Sequence, residues 1–241
     1  KEYLPLANDY ELTLEGRIHD LIPENLEVWM NNGVNRMSIG IQSFNTEVRQ
    51  MVGRLDTKET VLERLAALKA YGQCSVVIDL IYGLPGQTME VWEQDLADLV
   101  SSGVDGADLY QLNVFDGSDL NRDIASGKVP PAATTSMQGD MFEFGRTYLE
   151  ARAYRRLSAA HWSANNRERS LYNILAKAGV PMFPFGSGAG GNVDGYGMML
   201  HRALKPYEDM VSRGEKPFMA LMKQSDLQPF VNQVVSQLEQ G

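Results

Sequence analysis

The sequence contains a single cysteine, Cys74, among its 241 residues. One thiol excludes an intramolecular disulfide, and it also excludes a metal site built from several thiolates of this chain. Basic residues are outnumbered, with 22 Lys and Arg against 31 Asp and Glu and a formal net charge of −9. We therefore expect neither nucleic acid nor an anionic membrane surface as a partner, because both require a basic face.

Long hydrophobic runs and targeting signals are also absent from the sequence. It has no stretch of 18 consecutive apolar residues and no basic segment with an apolar centre near its start. We therefore expect no membrane span and no secretion signal, and the low cysteine content fits a reducing, cytoplasmic compartment.

What the sequence does contain is a regular alternation of strand-like and helix-like segments. Apolar residues make up 44 % of the chain, which is enough for a sizeable core. The patterns predict strands at 10–15, 34–41, 75–82 and 107–115, and helices at 23–32, 46–51, 58–71 and 89–101. Strand 75–82 is nearly all apolar, which is typical of a parallel strand covered on both faces. The order indicates an α/β fold with a mostly parallel sheet or barrel.

The second half of the chain is less regular. A linker containing Pro130 and Pro131 is predicted over 126–135, followed by a helix near 134–152, a possible strand at 154–162 and a helix at 168–177. The last 40 residues look helical, with breaks near 214–217 and at Pro229. We therefore predict three parts: 1–125, an α/β part; 126–200, a linker helix with a sheet extension and a glycine-rich loop; and 201–241, a helical region.

Polar residues at the strand ends are the first candidates for a site, since function gathers there in parallel α/β folds. Asp79 is the most informative of them, because apolar residues flank it on both sides within one strand. A buried carboxylate needs a cation or several hydrogen-bond donors. Asp79 therefore either binds a ligand or belongs to a structural ion pair.

The glycine-rich segment 186–191 matches the pattern G-x-G-x-x-G. A dinucleotide site would require a helix after it, but the residues that follow, 192–197, are poor helix formers. We expect Ser187, Gly188 and Gly190 to allow the close approach of a flat or anionic ligand. The alternative is a surface loop.

Several segments together resemble a known family. Glu15 in LTLEGR, Gln42 in SIGIQSF, Arg54 in VGR, and Asp79 in IDLIYGLPGQT resemble the radical S-adenosylmethionine (SAM) enzymes of the oxygen-independent coproporphyrinogen III oxidase group. The later segments LYQLNVF, RRLSAAHW, RERSLYN and FGSGAGG, at 109–115, 155–162, 167–173 and 185–191, resemble its anaerobic heme-degrading branch. That branch comprises the anaerobilin synthases, or heme-utilisation radical SAM methyltransferases.

The resemblance implies a fold, two cofactors and a set of binding residues. The fold would be a partial (β/α) radical-SAM barrel followed by a smaller α-rich region. The cofactors would be SAM and a [4Fe–4S] cluster. The implied SAM-site residues are Glu15, Gln42, Arg54, Asp79, Asn113 and Phe115. Carboxylates and amides suit the ribose hydroxyls and ammonium of SAM, and an arginine suits its carboxylate.

The chain departs from this family at the cluster. The family's C-x3-C-x2-C loop, which lies before the first strand here, is absent. Cys74 is single and precedes an apolar strand, so we expect a buried structural thiol. The chain is therefore expected to be the C-terminal part of a radical SAM enzyme and to be inactive alone.

The resemblance also suggests residues that would contact a heme or related porphyrin. His161 is the candidate catalytic residue, with a satisfied structural histidine as the alternative. The implied substrate-binding residues are Arg155, Arg156 and Arg167, which could pair with propionates, Trp162, which could stack on the ring, and the loop residues Ser187, Gly188 and Gly190. His19 is expected at the surface, and packing is expected for Met198, Met199 and His201.

Three functions in the family remain open from the sequence. The first is anaerobic opening of heme to a linear tetrapyrrole with iron release, by a radical SAM methyltransferase. The second is propionate decarboxylation by a coproporphyrinogen III oxidase, and the third is a heme chaperone without turnover. A catalytic member would need an electron donor such as flavodoxin or a flavin reductase, and an exposed sheet edge would permit a dimer.

Overall fold

The computed structural model describes residues 6–240. The chain divides into two compact units, Lys1–Arg169 and Ser170–Gly241, and each is described here by itself. The division of the chain into 1–125, 126–200 and 201–241 stays a prediction.

The first unit is built on a six-stranded sheet in the order β1-β2-β3-β4-β6-β5. Its strands are β1 (Thr13–Arg17), β2 (Arg36–Gln42), β3 (Ser75–Tyr82), β4 (Gly106–Gln111), β5 (Arg155–Arg156) and β6 (His161–Ser163). Strands β1 to β4 pair in parallel, whereas β6 pairs antiparallel with both β4 and β5. The predicted α/β class with a mostly parallel sheet is confirmed.

Six α-helices and a short 3-10 helix, Ile18–Asp20, connect the described strands of this unit. The helices are α1 (Pro23–Asn31), α2 (Thr46–Met51), α3 (Lys58–Ala70), α4 (Met89–Ser102), α5 (Asp119–Ala125) and α6 (Thr135–Glu150). Asn45, Thr57 and Thr88 cap α2, α3 and α4, each accepting a hydrogen bond from a backbone amide of the first turn. Gly103 ends α4 in the left-handed conformation that glycine adopts without strain.

The two faces of the sheet have opposite character. Ile39 of β2, Ile78 of β3 and Trp162 of β6 lie on the face that packs into the hydrophobic core, together with Trp92 of α4. Because side chains alternate along a strand, the residues between them point to the other face. That other face carries the polar residues from which the candidate site is built.

The second unit contains an antiparallel sheet in the order β7-β8-β9, which the sequence analysis missed in part. Its elements are α7 (Leu171–Lys177), β7 (Gly190–Val193), β8 (Tyr196–Leu200), α8 (Leu204–Ser212), β9 (Phe218–Lys223) and α9 (Gln228–Gln240). The prediction of helices with breaks over the last 40 residues holds for α8 and α9 but is wrong for Phe218–Lys223, which pairs with β8. Pro229 does not break a helix either, since it lies in the first turn of α9, where its missing amide costs no helical bond.

Other boundaries also differ from those predicted. The first strand lies at 13–17 rather than 10–15, and the fourth ends at Gln111 rather than at residue 115. The predicted strand 154–162 is two short strands joined by a turn, and the predicted helix 168–177 begins only at Leu171. Glu168 therefore lies before that helix, where its side chain belongs to the site.

Candidate functional site

Polar side chains from neighbouring strands line one face of the first unit's sheet. The register aligns Gly40 of β2, Asp79 of β3, Asp108 of β4 and His161 of β6 in one row. We call the polar face the surface formed by Arg36, Ser38, Gly40, Ser75, Asp79, Asp108 and His161. These strands bring together residues that are far apart in the sequence.

Glu168 lies at the amino-terminal end of the parallel strands and is fully buried. Its carboxylate accepts two hydrogen bonds from Nε of Arg36, at 3.0 and 3.2 Å, and one from Nη2 at 3.1 Å. It also accepts a bond of 3.0 Å from Oγ of Ser75. Gly106 leaves room for this arrangement, because a Cβ there would lie 2.9 Å from Cγ of Glu168.

His161 connects Glu168 to Asp108. Its Nε2 lies 3.1 Å from Oε1 of Glu168, and its Nδ1 lies 2.9 Å from Oδ2 of Asp108. The Nδ1 contact is close but not aligned as a hydrogen bond, so it is an ion pair. Burial alone would lower the pKa of His161, but the two carboxylates outweigh it and raise the pKa to about 9.

Asp79 occupies the next position on the polar face. It accepts a hydrogen bond of 3.2 Å from Oγ of Ser38. Burial raises the pKa of Asp79 to about 6, and the negative charges of Asp108 and Glu15 add to that effect. The carboxylate predicted to be buried is therefore half-buried, and its hydrogen-bond partner is a hydroxyl group.

The strand β2 ends in an irregular turn that places two predicted residues together. Gln42 interrupts the register with β3 and has a φ of 72°, a left-handed conformation that a non-glycine residue rarely adopts. Its Oε1 is buried and has no hydrogen-bond partner. A Cβ on Gly40 would lie 3.1 Å from Nε2 of Gln42 and 3.8 Å from Nη2 of Arg54. The amide and the guanidinium therefore lie over Gly40.

The other predicted SAM residues lie nearer the surface. Glu15 is exposed on β1, and its register partner is Ser38. Asn113 and Phe115 follow the end of β4 in a loop, and both are exposed. A cleft of about 460 Å³ contains Gln42, Arg54 and Leu112 among its lining residues. Gln42, Arg54 and Leu112 thus share the carboxyl-terminal side of the sheet.

A buried aspartate, which sequence reasoning missed, fixes the loops around this cleft. Asp95 of α4 accepts hydrogen bonds from Oγ of Ser43 at 2.8 and 2.9 Å and from the amide of Phe44 at 2.7 Å. It also accepts a bond of 3.1 Å from Nε2 of Gln87, whose Oε1 receives the amides of residues 83 and 84. Asp95 therefore ties the loop after β2 to the turn after β3.

The residues predicted to contact a porphyrin are dispersed. Arg155 is exposed, and Arg156 is half-buried, with its Nε donating to the carbonyl of Ser158. Arg167 donates from Nη2 to the carbonyls of Gly72 and Cys74. Trp162 is 1 % exposed and lies in the hydrophobic core, which favours packing over ligand contact.

The glycine-rich segment lies in the second unit. Oγ of Ser187 donates to the carbonyls of His201 and Arg202, and the amide of Gly188 donates to the carbonyl of His201. Gly190 begins β7, so the segment continues into a hairpin rather than a helix. The dinucleotide interpretation stays excluded, and a ligand role for this loop stays a prediction.

Cys74 provides a test of the local packing. It is 3 % exposed, and burial raises the pKa of its thiol to about 12. We expect the native chain to resist alkylation by iodoacetamide at pH 8, because the thiolate is the nucleophile. One equivalent of label should enter in denaturant, as measured by mass spectrometry. Rapid labelling of the native chain would contradict this placement.

The residues present fit SAM but not an iron–sulfur cluster. The unpartnered Oε1 of Gln42 and the carboxylate of Asp79 offer acceptors for hydroxyl and cationic groups, and Arg54 offers a carboxylate-binding fork. Over residues 6–240, no group of three His, Cys, Asp or Glu could hold a metal ion. The single cysteine of the sequence does not supply the three thiolates of a cluster.

Comparisons with known proteins concern both the fold and the sequence of the chain. The model of the radical SAM superfamily matches residues 6–99. A solved structure of coproporphyrinogen III oxidase from Escherichia coli, a radical SAM enzyme, superposes with a TM-score of 0.81 over 96 % of this chain and 56 % of that chain, at 20 % identity. At this identity the likeness concerns the fold alone.

Curated relatives have heme-related names. Anaerobilin synthase from Escherichia coli O157:H7 is 37 % identical over 226 residues, which cover 94 % of this chain and 51 % of that protein. The heme chaperone HemW from Bacillus subtilis is 24 % identical over 89 % of this chain and 56 % of its own length. The chain thus spans about half the length of these relatives. In the described part of the chain, no helix is long and apolar enough to cross a membrane.

Proposed function

Because residues 6–99 match the model of the radical SAM superfamily, we propose that this chain supplies the SAM-binding residues of an enzyme that opens heme anaerobically. The product would be a linear tetrapyrrole, with release of iron. The observation that carries the proposal is the 37 % identity to an anaerobilin synthase over nearly the whole chain. Members of this superfamily use SAM and a [4Fe–4S] cluster, which supply radical chemistry and the methyl group when bound.

Each proposed SAM residue has a chemical role that its position supports. Arg54 would bind the carboxylate of SAM through its guanidinium, and Gln42 would accept a hydrogen bond at its unpartnered Oε1. Asp79 and Glu15 would accept hydrogen bonds from hydroxyl or ammonium groups. Asn113 and Phe115 would lie beside the adenine. Gly40 keeps the space beneath the ligand open, because any side chain there would meet Gln42.

His161 would support heme turnover from within the polar network. It is 3 % exposed and lies between the carboxylates of Asp108 and Glu168. A side chain held in this way keeps a fixed orientation and a positive charge near neutral pH. We propose Arg155, Arg156, Arg167, Ser187, Gly188 and Gly190 as the further candidates for contact with the porphyrin.

The cluster, the reductant and the assembly also belong to the proposal. With one cysteine, the 241 residues alone would form no three-thiolate cluster and would be inactive. Catalysis would require the complete polypeptide and an electron donor such as a flavodoxin or a flavin reductase. A dimer is compatible with the proposal.

The test is an anaerobic assay of the complete protein with heme, SAM and a reductant. We expect a methylated linear tetrapyrrole by mass spectrometry and free iron by a ferrous chelator. A vinyl-bearing porphyrinogen from coproporphyrinogen III would instead favour the oxidase function. Stoichiometric heme binding without SAM consumption would favour a chaperone, which the relatives named HemW suggest.

His161→Ala tests the role of the histidine in that assay. At saturating SAM, which offsets a change in SAM affinity, we expect heme turnover to fall at least about tenfold, whereas SAM cleavage without heme falls less, because the histidine would serve the heme step. The matched control is His19→Ala, since His19 is exposed. Equal losses of heme turnover and SAM cleavage in His161→Ala would indicate a purely structural histidine.

A further inference from the structure

Charges of alternating sign run across the polar face and end at two neighbouring carboxylates. Arg36 pairs with Glu168, Glu168 contacts His161, and His161 pairs with Asp108, at distances of 3.0 to 3.1 Å for the first two contacts and 2.9 Å for the last. Asp79 follows as the register partner of Asp108 on the adjacent parallel strand. Each member except Asp79 faces a charge of opposite sign.

The pairing of Asp79 with Asp108 is unfavourable without a further partner. Adjacent strands are about 4.8 Å apart, so two aspartates in register on one face repel each other. Within the part of the chain that the structure describes, no ion pair includes Asp79, and its carboxylate has only the hydroxyl of Ser38. Such an arrangement destabilises the empty protein and favours a bound cation.

Neighbouring side chains hold Asp108 in a fixed position. His161 holds one of its oxygens at 2.9 Å from Nδ1. His161 is itself fixed by Glu168, which Arg36 and Ser75 hold through four hydrogen bonds. Burying these charged groups costs desolvation free energy. Such a cost is more readily understood if they hold Asp108 in place for a ligand.

A second observation indicates that this region receives a ligand. Oε1 of Gln42 is buried without a partner at the carboxyl-terminal end of β2, where Gly40 and Arg54 also lie. Gly40 is the register partner of Asp79. The unpartnered Oε1 of Gln42 and the carboxylate of Asp79 therefore occur on neighbouring strands. A cation that carries N–H or O–H donors would provide a partner for both.

The geometry points to Asp108 as a second carboxylate of the SAM site, which forms with Asp79 a pair that receives a positively charged part of SAM. His161, Glu168 and Arg36 are the positioning residues that hold Asp108 there. This inference rests on the proposed function, because it requires that SAM binds against Asp79.

The pair gives SAM binding a characteristic pH dependence. Burial and the charge of Asp108 raise the pKa of Asp79 to about 6, so protonation below that pH removes one attraction for a cation. The groups that face Asp79 from the packed strands are Glu15 of β1, Arg36 and Ser38 of β2, and Asp108 and Tyr110 of β4. Removing a negative neighbour favours the ionised form of Asp79 and lowers its pKa. Removing a positive charge near Asp108 has the opposite effect on Asp79.

The experiment is calorimetric titration of the complete, cluster-loaded protein with SAM between pH 5 and 8. We expect Asp108→Asn to weaken SAM about tenfold at pH 7.5 and to move the midpoint of the pH profile downward. His161→Gln should move the midpoint upward instead, because it leaves the negative charge of Asp108 uncompensated. Adenosine, which has no cationic group, should bind all three proteins alike.

Controls separate this inference from the proposed function and from misfolding. Asp140→Asn makes the same chemical change at an exposed position of α6, and it should leave SAM affinity and the midpoint unchanged. If the unmodified protein binds no SAM at any pH, the proposed function fails. If it binds SAM but Asp108→Asn keeps the same affinity and midpoint, or loses adenosine as strongly as SAM, the role of Asp108 is refuted.

Discussion

Asp79→Ala is expected to abolish measurable SAM binding while the protein remains folded. Removing one partner of a buried charged contact costs about 2–5 kcal/mol, which weakens binding by at least about 30-fold. Asp79 has one hydrogen bond within the described chain, from Ser38, so its loss leaves little of the fold unsupported. Calorimetry with SAM measures the affinity, and circular dichroism checks the fold. Unchanged affinity would remove Asp79 from the site.

The isosteric change Asp79→Asn separates binding from stability. Because the pKa of Asp79 in the folded state lies above its ordinary value, the folded protein loses stability relative to the unfolded chain as pH rises through about 4 to 6. An amide is not subject to that loss. We therefore expect Asp79→Asn to raise the Tm at pH 7.5 and to have little effect near pH 3.5, although it weakens SAM binding. A lower Tm of Asp79→Asn at pH 7.5 would contradict the claim that the ionised carboxylate of Asp79 destabilises the protein without SAM.

Glu168→Ala is expected to cause a larger loss of stability than any single substitution of a polar-face residue. The change leaves Arg36 and His161 buried without their shared carboxylate, and breaking a buried ion pair costs about 3–5 kcal/mol. For a chain of this length, that corresponds to a fall in Tm of roughly 10 °C. Differential scanning calorimetry at pH 7.5 measures the shift.

A surface glutamate provides the matched control for that loss. Glu150 pairs with Arg146 on α6, and its side chain is 47 % exposed. Exposed pairs contribute little, so Glu150→Ala should leave the Tm close to that of the unmodified protein. Similar Tm losses for Glu150→Ala and Glu168→Ala would show that the buried network does not stabilise the first unit.

The elements with regular patterns were predicted correctly from the sequence. The third strand lies at 75–82 as predicted, because a short apolar run between turn residues is typical of a buried strand. The helix at 46–51 also matches, and its Asn45 cap is a local signal. Where apolar residues continue past a strand, the prediction is too long: Val114 and Phe115 follow β4 but lie outside the sheet.

The second unit shows where local patterns fail. The segment 218–223 has five apolar residues in sequence, and such a run does not distinguish a strand from a buried helix. Its pairing with β8 decides the structure, and that pairing is a contact between separated segments. Propensity alone therefore gave the wrong element.

The candidate site was predictable only in its strand-end residues. Gln42, Arg54 and Asp79 follow or lie in strongly predicted strands, so their positions at one side of the sheet follow from the parallel order. Glu168 was assigned to a helix, and its partner Arg36 is 132 residues away. The alternation of Arg36 and Ser38 with apolar residues in β2 was the available signal for a polar face. The antiparallel pairing that sets His161 opposite Asp108 had no sequence signal.

Hydrogen–deuterium exchange of the complete protein, with and without SAM, tests the central claim most directly. The claim is that SAM binds at the carboxyl-terminal side of the first unit's sheet, against Gln42, Arg54 and Asp79. We predict that SAM slows exchange in peptides covering 40–55, 79–84 and 111–115, whereas peptides covering 190–200 in the second unit are unaffected. Protection confined to the second unit, or none at saturating SAM, would contradict the account.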